Sequence, residues 1–424
     1  MLKNPLETAF RKPLQKSSSA RIMVFELAVY GHHPVYIQYL VEYWCKHRLA
    51  GQLSFVVSPE FLQAHPQIVE LPASYDISTV EFVAIEREEQ TQLSRQKHSF
   101  WGRAQLAFQQ WRLVCKYVEK LQATRCLILS LDFFQLPLAL ASKPDCQFSG
   151  IYFKPILHYP TFSNYASSWK EQIQRRREAL ILNQILRKPQ LQTLFCLDPF
   201  AVKAINKLHR QPKAVSLPDP VQLYDPMAID TADLKAKLQI EPDRQVFLLF
   251  GELTGRKGIY QLLTAIQQLA PELCEKLCLV IVGRAGVEEQ IQIKVAVQTT
   301  RQMQPVQIIE HYQYVSDQEV QAYFQLSDVI LAPYQKHVGM SGILLLAAAA
   351  QKPVLSSDYG LMGEMVRCYQ LGLALDSTDA VVLAQGLAHC LLTDPAEIGN
   401  RQQMQRFAEE NSADRFAATI FEAI

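Results

Sequence analysis

The sequence predicts an α/β protein with two doubly wound domains of parallel strands. Short apolar runs of strand length alternate with helix-like segments along the chain, and this alternation is typical of a parallel sheet covered by helices. The alternation stops once, in a segment with three prolines, and then restarts. Because 424 residues exceed the roughly 250–300 at which a single core stops growing, two domains of ordinary size are expected.

The first half begins with a strand, a loop and a helix. Residues 22–29 form the first apolar run, a turn containing Gly31 follows, and residues 35–46 carry apolar side chains at helical spacing. Further strands are predicted at 53–57, 80–85, 126–131, 148–153 and 193–197. We assign residues 21–215 to this first domain, after an extension at residues 1–20.

The proline-rich segment at residues 214–226 has neither helical nor strand periodicity, which is typical of a linker. After it, strands are predicted at 245–250, 278–282, 306–309, 329–332 and 353–356, and helices at 259–270, 287–302, 317–326 and 343–350. Five strands with intervening helices predict a second doubly wound domain over residues 216–399. Residues 400–424 have a helical pattern, and we expect this tail helix to pack back on the first domain.

Bulk composition narrows the class of protein. The chain is 49% hydrophobic and 20% charged, as globular proteins are. The first twenty residues lack the apolar core of a signal peptide, and no run approaches the ~18 apolar residues that span a bilayer. We therefore expect a cytoplasmic protein. The nine cysteines are scattered, so buried free thiols are expected and no metal site is predicted.

Charge divides unevenly between the two halves. Residues 1–215 hold 27 Lys and Arg against 16 Asp and Glu, a net charge of +11, whereas the remainder has a net charge of −10. The basic half suits an anionic partner such as a phospholipid surface. The alternative is that the charge asymmetry serves electrostatic steering of the two domains toward each other, which needs no partner. The basic run at 172–177 predicts an amphipathic helix, either peripheral on an anionic membrane or simply at the surface. No nucleic-acid partner is expected.

Loops that follow strands of the second domain carry the candidate ligand-binding residues, because ligands bind at the carboxyl ends of parallel strands. The loop at 250–258 combines Gly251 with Arg256 and Lys257, which suit a diphosphate at a helix start. Gly283 ends the next strand. A later loop offers backbone N–H groups at a helix start, and its residues are Gly339, Met340, Ser341 and Gly342. Ordinary turn chemistry is the alternative for each loop.

A series of motifs in the second half resembles a known family. The motifs are Lys257-Gly258, the run LVIVG at 279–283, AYFQLSD at 322–328 with LAP at 331–333, KPV at 352–354, and GLMGE at 360–364 with Gly372 beyond. Their order and spacing are similar to those of the donor domain of GT-B glycosyltransferases of the large retaining family 4. The resemblance implies two Rossmann-like domains that face each other across a cleft and a nucleotide-sugar donor, with no metal or other cofactor.

The resemblance also implies roles for single residues. Lys257 would hold the donor diphosphate with Arg256, and Glu364 corresponds to a glutamate common one loop later in the family. The family's two glutamates separated by seven residues fall at Val338 and Leu346, so both carboxylates are absent. An unpaired ribose hydroxyl costs roughly 1–3 kcal/mol, which means that recognition of the ribose or sugar must differ or be lost.

In the first domain the resemblance covers only the general pattern. The family places a glycine-containing loop near the donor phosphates, and Gly31, His32 and His33 occupy that place. His158, after a predicted strand, corresponds to an acceptor-side histidine and is a candidate catalytic residue with Lys257 and Arg256. Asp132 is a further loop candidate.

The function implied by the resemblance is transfer of a hexose from a nucleoside-diphosphate sugar, with retention, to a glycan or lipid-linked acceptor. Two alternatives remain open. The missing glutamates favour a catalytically silent protein of the same fold, which would bind without turnover. A sugar-nucleotide epimerase of the GT-B fold would convert the donor with no acceptor present.

Overall fold

The structure is a computed structural model that describes residues 20–94, 100–141, 144–162, 164–165, 167–222 and 231–424. The predicted extension at residues 1–20 lies outside the described residues except for Ala20. Within the described ranges the chain forms two parallel sheets with helices on both faces. No helix of these ranges is long and apolar enough to cross a membrane.

The first sheet has seven parallel strands. They are β1 (Arg21–Phe25), β2 (Gln52–Val57), β3 (Val80–Ala84), β4 (Arg125–Ile128), β5 (Gln147–Tyr152), β6 (Leu191–Cys196) and β7 (Ala214–Ser216). Their order in space is 3-2-1-4-5-6-7. The predicted strands agree with β1 to β6 to within a few residues. β7 lies inside the segment predicted to be a linker, so the first sheet extends to Ser216, one residue beyond the predicted boundary.

Nine helices of the described residues belong to this half of the chain. They are α1 (His33–Lys46), α2 (Pro59–Ala64), α3 (Pro66–Val69), α4 (Leu71–Ser74), α5 (Arg87–Ser94), α6 (Phe100–Lys120), α7 (Gln135–Leu140), α8 (Trp169–Leu186) and α9 (Pro199–Asn206). Local sequence sets several starts: proline occupies the first turn of α1, and Ser168 and Glu171 form a reciprocal capping box on α8.

The second sheet has six parallel strands, β8 (Gln245–Phe250), β9 (Leu277–Val282), β10 (Gln307–His311), β11 (Val329–Ala332), β12 (Val354–Ser357) and β13 (Gly372–Leu375). Its helices are α10 (Ala232–Lys237), α11 (Ile259–Gln267), α12 (Pro271–Cys274), α13 (Val287–Met303), α14 (Asp317–Leu326), α15 (Ile343–Ala349), α16 (Gly360–Tyr369), α17 (Ala380–Leu392) and α18 (Pro395–Ile398). The prediction of five strands was wrong. β13 is a four-residue edge strand whose side chains are all half-buried, so it lacks the continuous apolar run of a central strand.

Two helices form the tail where one was predicted. α19 (Arg401–Glu410) packs against α15 and α16 of the second domain, whereas α20 (Ala413–Ala423) packs against α1 and β6 of the first. Asn411 ends α19 with its side chain bonded to the carbonyl of Phe407, and Ser412 caps α20. Only the second half of the tail therefore packs on the first domain.

Both sheets have the strand order 3-2-1-4-5-6, the first with one extra strand. In such sheets the order reverses between the first and fourth strands, and ligands bind in the crevice at that point. The reversal lies between β1 and β4 in the first domain and between β8 and β11 in the second. These two edges position the candidate site.

Candidate functional site

Lys257 ends a single 3-10 turn that follows β8. The residue is 7% exposed, and its ammonium nitrogen donates to the carbonyl of Phe250 at 3.0 Å and to the hydroxyl of Tyr334. The nitrogen also lies 4.3 Å from the centre of the Tyr334 ring. Gly251 makes room for it, because a Cβ at that position would come within 2.8 Å of the nitrogen. An ammonium has three hydrogens, so one remains for an anion.

The loop after β11 lies directly beside the Lys257 loop. The Tyr334 hydroxyl is 3.0 Å from Ser341 Oγ, which links the lysine to the small-residue loop that contains Gly339, Met340 and Gly342. Arg256 Nη1 lies 3.2 Å from His337 Nδ1. The structure thus brings together the two loops that the sequence singled out, on either side of the strand reversal.

The electrostatic environment of these loops is positive. Burial lowers the pKa of His337, and the charges of Arg256, Lys257 and Lys154 lower it further against the opposing hydrogen bond to Met340. Lys154 follows β5 in the first domain, and its charge also lowers the pKa of His32. Lys154 was not among the residues predicted from sequence, although its position at the carboxyl end of a strand was a usable signal.

Gly251 and Gly283 hold adjacent loops in direct backbone contact. Gly283 has φ +143°, and a Cβ there would lie 1.8 Å from the Gly251 carbonyl oxygen. The φ of Gly251 is +113°. Any side chain at Gly283 would therefore push the two loops apart, and both glycines are explained by this close approach.

A cavity of about 580 Å³ opens between the domains next to Gly251 and Gly283, a size typical of small-molecule sites. Its walls come from α1, from the segment after β7, and from loops and the helices α14 and α15 of the second domain. Lining residues include Val35, Tyr39, Val221, Glu252, Arg284, Tyr314 and Leu346. The Arg284 guanidinium lies 4.8 Å from the centre of the Tyr314 ring, which gives the cavity a flat cationic wall. Leu346 presents an apolar surface to the cavity, at a position where the resemblance to family 4 implies a carboxylate.

His158 is placed differently from the other candidates. Its side chain is 3% exposed, and Nε2 lies 2.8 Å from Asp198 Oδ2, while its ring packs edge-on against Tyr159 and Phe162. Nδ1 has no hydrogen-bond partner among the described residues. His158 is therefore enclosed by protein and is not part of the cavity wall.

Glu364 lies one turn inside α16, and Oε1 bonds Arg367 Nη2 at 2.9 Å. It is not among the residues that line the cavity. The start of the same helix is held against Val338, whose carbonyl accepts from the Leu361 N–H at 2.8 Å. This hydrogen bond holds the backbone of Val338 in place.

The loop after β1 faces the ends of β4 and β5. Gly31 has φ +82°, and a Cβ added there would meet no atom within 4 Å. The His32 ring lies 4.7 Å from that of Phe153, and burial, with the charge of His33, lowers its pKa to about 4. Asp132 accepts from the backbone N–H groups of Phe153 at 2.7 Å and Lys154 at 3.1 Å, so it holds the loop that carries Lys154.

No group of three or more His, Cys, Asp or Glu within the described ranges is arranged to hold a metal ion. The cysteines are all free, and most are buried.

Solved structures with similar folds define the class. A glycosyltransferase from Rickettsia africae has a TM-score of 0.65 and 14% identity, covering 95% of this chain and 97% of its own. Anabaena HepE in complex with UDP has a TM-score of 0.63 and 13% identity, covering 95% and 98%. The chain therefore has the GT-B fold, with two Rossmann-like domains.

Sequence comparison finds a similarity to known proteins in the second half of the chain. Residues 230–411 match the family described as glycosyl transferases group 1. Lipopolysaccharide 1,2-N-acetylglucosaminetransferase of Salmonella typhimurium is 28% identical over 194 residues, which are 43% of this chain. The chain spans about half the length of this curated relative, 50% of it.

Proposed function

We propose that this protein is a glycosyltransferase that moves a hexose from a nucleoside-diphosphate sugar to a glycan or lipid-linked acceptor, with retention at the anomeric carbon. The observation that carries the proposal is the contact of Lys257, Tyr334 and Ser341, which joins two anion-suited loops at the strand reversal. The family of the second domain supports the same activity. Retention follows from the resemblance to family 4.

The diphosphate is proposed to bind between the two loops. Lys257 and Arg256 would stabilise the negative charge that develops on the departing diphosphate. Backbone N–H groups of Gly339, Ser341 and Gly342 would add hydrogen bonds. Because α15 has only seven residues, these local amides contribute more than the dipole of the whole helix. The scheme requires neither a metal ion nor another cofactor.

The nucleoside is proposed to occupy the interdomain cavity. Arg284 and Tyr314 offer a flat surface for a base, and Leu346 cannot accept a hydrogen bond from ribose. Glu252 lines the same cavity, with its carboxylate in no hydrogen bond or ion pair among the described residues. It could replace the absent carboxylate at position 346 from the opposite loop.

A lipid-linked acceptor would be reached at a membrane surface. The outer side of α8 exposes Trp169, Ile173 and Leu180, each more than half accessible, and exposed Arg176 and Arg177 lie between them. Since Leu182 and Ile185 fill the opposite, buried side, α8 is apolar on both sides, unlike a simple amphipathic helix. Exposed tryptophan beside arginine suits the interface of an anionic bilayer.

The proposal is tested by measuring UDP affinity by calorimetry and UDP release from a panel of nucleoside-diphosphate hexoses. We expect binding of a nucleoside diphosphate and turnover of at least one donor sugar, unchanged in EDTA. Product analysis by NMR would report the anomeric configuration. No affinity for any nucleoside diphosphate would contradict the donor site.

The replacement of both family glutamates, by Val338 and Leu346, favours one second candidate, a protein that binds nucleotide without catalysing transfer. That candidate predicts UDP binding with no release of UDP from any donor sugar. The same two measurements therefore separate it from the transferase.

A further inference from the structure

Arg256 and Lys257 are held by neutral groups rather than by carboxylates. Arg256 Nη1 lies 3.2 Å from His337 Nδ1. Lys257 donates to the carbonyl of Phe250 at 3.0 Å and to the hydroxyl of Tyr334. Among the described residues, neither cation forms an ion pair with an acidic side chain. Both positive charges therefore remain for a ligand to neutralise.

The hydrogen bonds of His337 fix a single tautomer of its ring. An arginine side chain only donates hydrogen bonds, so His337 Nδ1 accepts from Arg256. A backbone carbonyl only accepts, and His337 Nε2 lies 3.2 Å from the carbonyl oxygen of Met340, so Nε2 carries the hydrogen. Burial lowers the pKa of His337, and the neighbouring positive charges lower it further, which keeps the ring neutral. With both ring nitrogens occupied, His337 serves as an acceptor for Arg256.

Tyr334 is the corresponding acceptor for Lys257. It is 2% exposed, and its hydroxyl, which accepts from Lys257, lies 3.0 Å from Ser341 Oγ. The ring centre lies 4.3 Å from the Lys257 nitrogen and 5.8 Å from the guanidinium carbon of Arg256. Because the face of an aromatic ring carries partial negative charge, it attracts both cations. Tyr334 therefore holds the ammonium without cancelling its charge.

The segment that carries Tyr334 and His337 is itself held in place. Ser377, after β13, is 1% exposed and donates to the carbonyl of Tyr334 at 3.0 Å. The carbonyl of Ser377 accepts from Gln335 Nε2 at 2.8 Å, and the Gln335 N–H donates to the carbonyl of Arg256 at 2.8 Å. Binding groups keep their geometry only when the residues around them are fixed by packing and hydrogen bonds. Both acceptors are thus carried by a backbone that is bonded to the cationic loop.

We propose that His337 and Tyr334 are positioning residues for the donor diphosphate, His337 acting through Arg256 and Tyr334 through Lys257. The proposal rests on the proposed function. Adjacent cations repel each other, and a carboxylate would hold them only by neutralising the charge that the diphosphate needs. Neutral acceptors and an aromatic ring face keep both cations in a fixed geometry, so that little reorganisation is needed when the anion binds.

The first experiment is a double-mutant cycle on nucleotide affinity, measured by calorimetry. The probe is whichever of UDP, ADP and GDP the wild type binds most tightly. His337→Leu removes the acceptor from Arg256 and should weaken binding roughly 2- to 10-fold. In an Arg256→Gln background the same change should have no further effect, because a residue that acts only through Arg256 then has nothing to position.

His389→Leu, which replaces an exposed histidine of the same domain, is the matched control and should bind the probe as the wild type does. No loss of affinity in His337→Leu, or an equal loss with and without Arg256, would overturn the role of His337.

Tyr334→Phe tests the second acceptor. The change keeps the ring and removes the hydroxyl, so affinity for the probe should again fall roughly 2- to 10-fold. In a Lys257→Ala background it should fall no further. Affinity at the wild-type level, or the same loss in both backgrounds, would reject the positioning role of Tyr334.

The second experiment separates positioning from folding. His337→Asn should keep most of the affinity that His337→Leu loses, because an amide oxygen can take the place of Nδ1. Urea denaturation reports the stability of each variant beside its affinity. In the wild type at neutral pH, ¹⁵N NMR should show the His337 ring neutral and protonated at Nε2. Equal affinities of the Asn and Leu variants, or a ring protonated at Nδ1, would contradict the proposal for His337.

Failure of the proposed function gives a different result. A wild-type protein that binds none of UDP, ADP and GDP removes the donor site, and the positioning roles with it. If Arg256→Gln and Lys257→Ala weaken binding while His337→Leu and Tyr334→Phe bind as tightly as the wild type, only the positioning roles are removed.

Discussion

The two strand reversals occupy equivalent places in domains of the same topology, yet they carry opposite chemistry. In the second domain the edge is cationic, with Lys257 and Arg256 beside backbone N–H groups. In the first domain the edge carries the buried carboxylate of Glu26, which lies 2.9 Å from the imidazole of His33 and accepts a hydrogen bond from the hydroxyl of Ser130. Topology therefore fixes where a ligand binds, and the side chains at each edge determine which chemical class of ligand can bind there.

Substitution of one glycine in each domain, Gly283 and Gly31, tests this comparison, and Gly283→Ala gives the largest expected loss of stability. Gly283→Ala places a Cβ 1.8 Å from the Gly251 oxygen at a positive φ, and we expect a loss of about 3 kcal/mol or more in the free energy of unfolding. Gly31→Ala, in the first domain, meets open space and should lose only about 1–2 kcal/mol. Urea denaturation measures both. Equal losses would mean that the close loop contact is absent.

The cationic edge is probed by Lys257→Ala. The charge-assisted hydrogen bond to the diphosphate is worth about 1.5–3 kcal/mol, so UDP affinity should fall roughly 10- to 100-fold by calorimetry. Lys276→Ala, which removes an exposed lysine of the same domain, is the matched control. Unchanged affinity in Lys257→Ala would place the phosphate elsewhere.

The corresponding edge of the first domain is tested through the pH dependence of the free energy of unfolding, to which Asp132 contributes. Burial raises the pKa of Asp132 to about 6, despite hydrogen bonds from Phe153 and Lys154 that lower it. Since the folded protein holds this proton more tightly than the unfolded chain, Asp132 contributes stability below about pH 4 that is lost as the pH rises through 6. The slope is at most about 1.4 kcal/mol per pH unit.

Asp132→Asn should remove that part of the slope. Urea denaturation of both proteins between pH 4 and 7 checks it. Identical pH dependence in the wild type and the variant would show that Asp132 does not titrate in this window.

The smallest effect concerns the outer face of the first domain. Arg176→Gln combined with Arg177→Gln should weaken binding to phosphatidylserine-containing vesicles, by about 1 kcal/mol for each charge removed. A pair of lysines on the acidic half, Lys235 and Lys237 of α10, provides the control when changed to glutamine. Co-sedimentation measures the bound fraction. Equal binding by all three proteins would exclude α8 as the membrane contact.

Much of the fold was predictable because it depends on local patterns. Strands such as β8 and β9 are continuous apolar runs, and α14 begins at a capping box formed by Ser316 and Glu319, which a local sequence pattern reveals. β7 and β13 were missed since each is short and lies at or near a sheet edge. The loops of Lys257 and Gly339 were also found from sequence, since glycines and cations after strands are local features.

The side-chain partnerships were not predictable. Glu26 and Ser130 are 104 residues apart, and Tyr334 reaches Lys257 over 77. The charge of Lys154 lowers the pKa of both His32 and His337, which are distant from it in sequence. Local periodicity in the sequence cannot predict such contacts, because they form only when the carboxyl ends of parallel strands are brought side by side in the sheet.

The sequence by itself determined the two doubly wound sheets, the cationic loops of the second domain, and the apolar residues Val338 and Leu346 at the positions where the resemblance to family 4 implies carboxylates. Only the tertiary structure decided that His158 is enclosed beside Asp198 and that His33 is held by Glu26. The reason is physical: backbone preference and apolar periodicity act over a few residues, whereas burial, tautomer and hydrogen-bond partner are set by distant segments brought together in the fold.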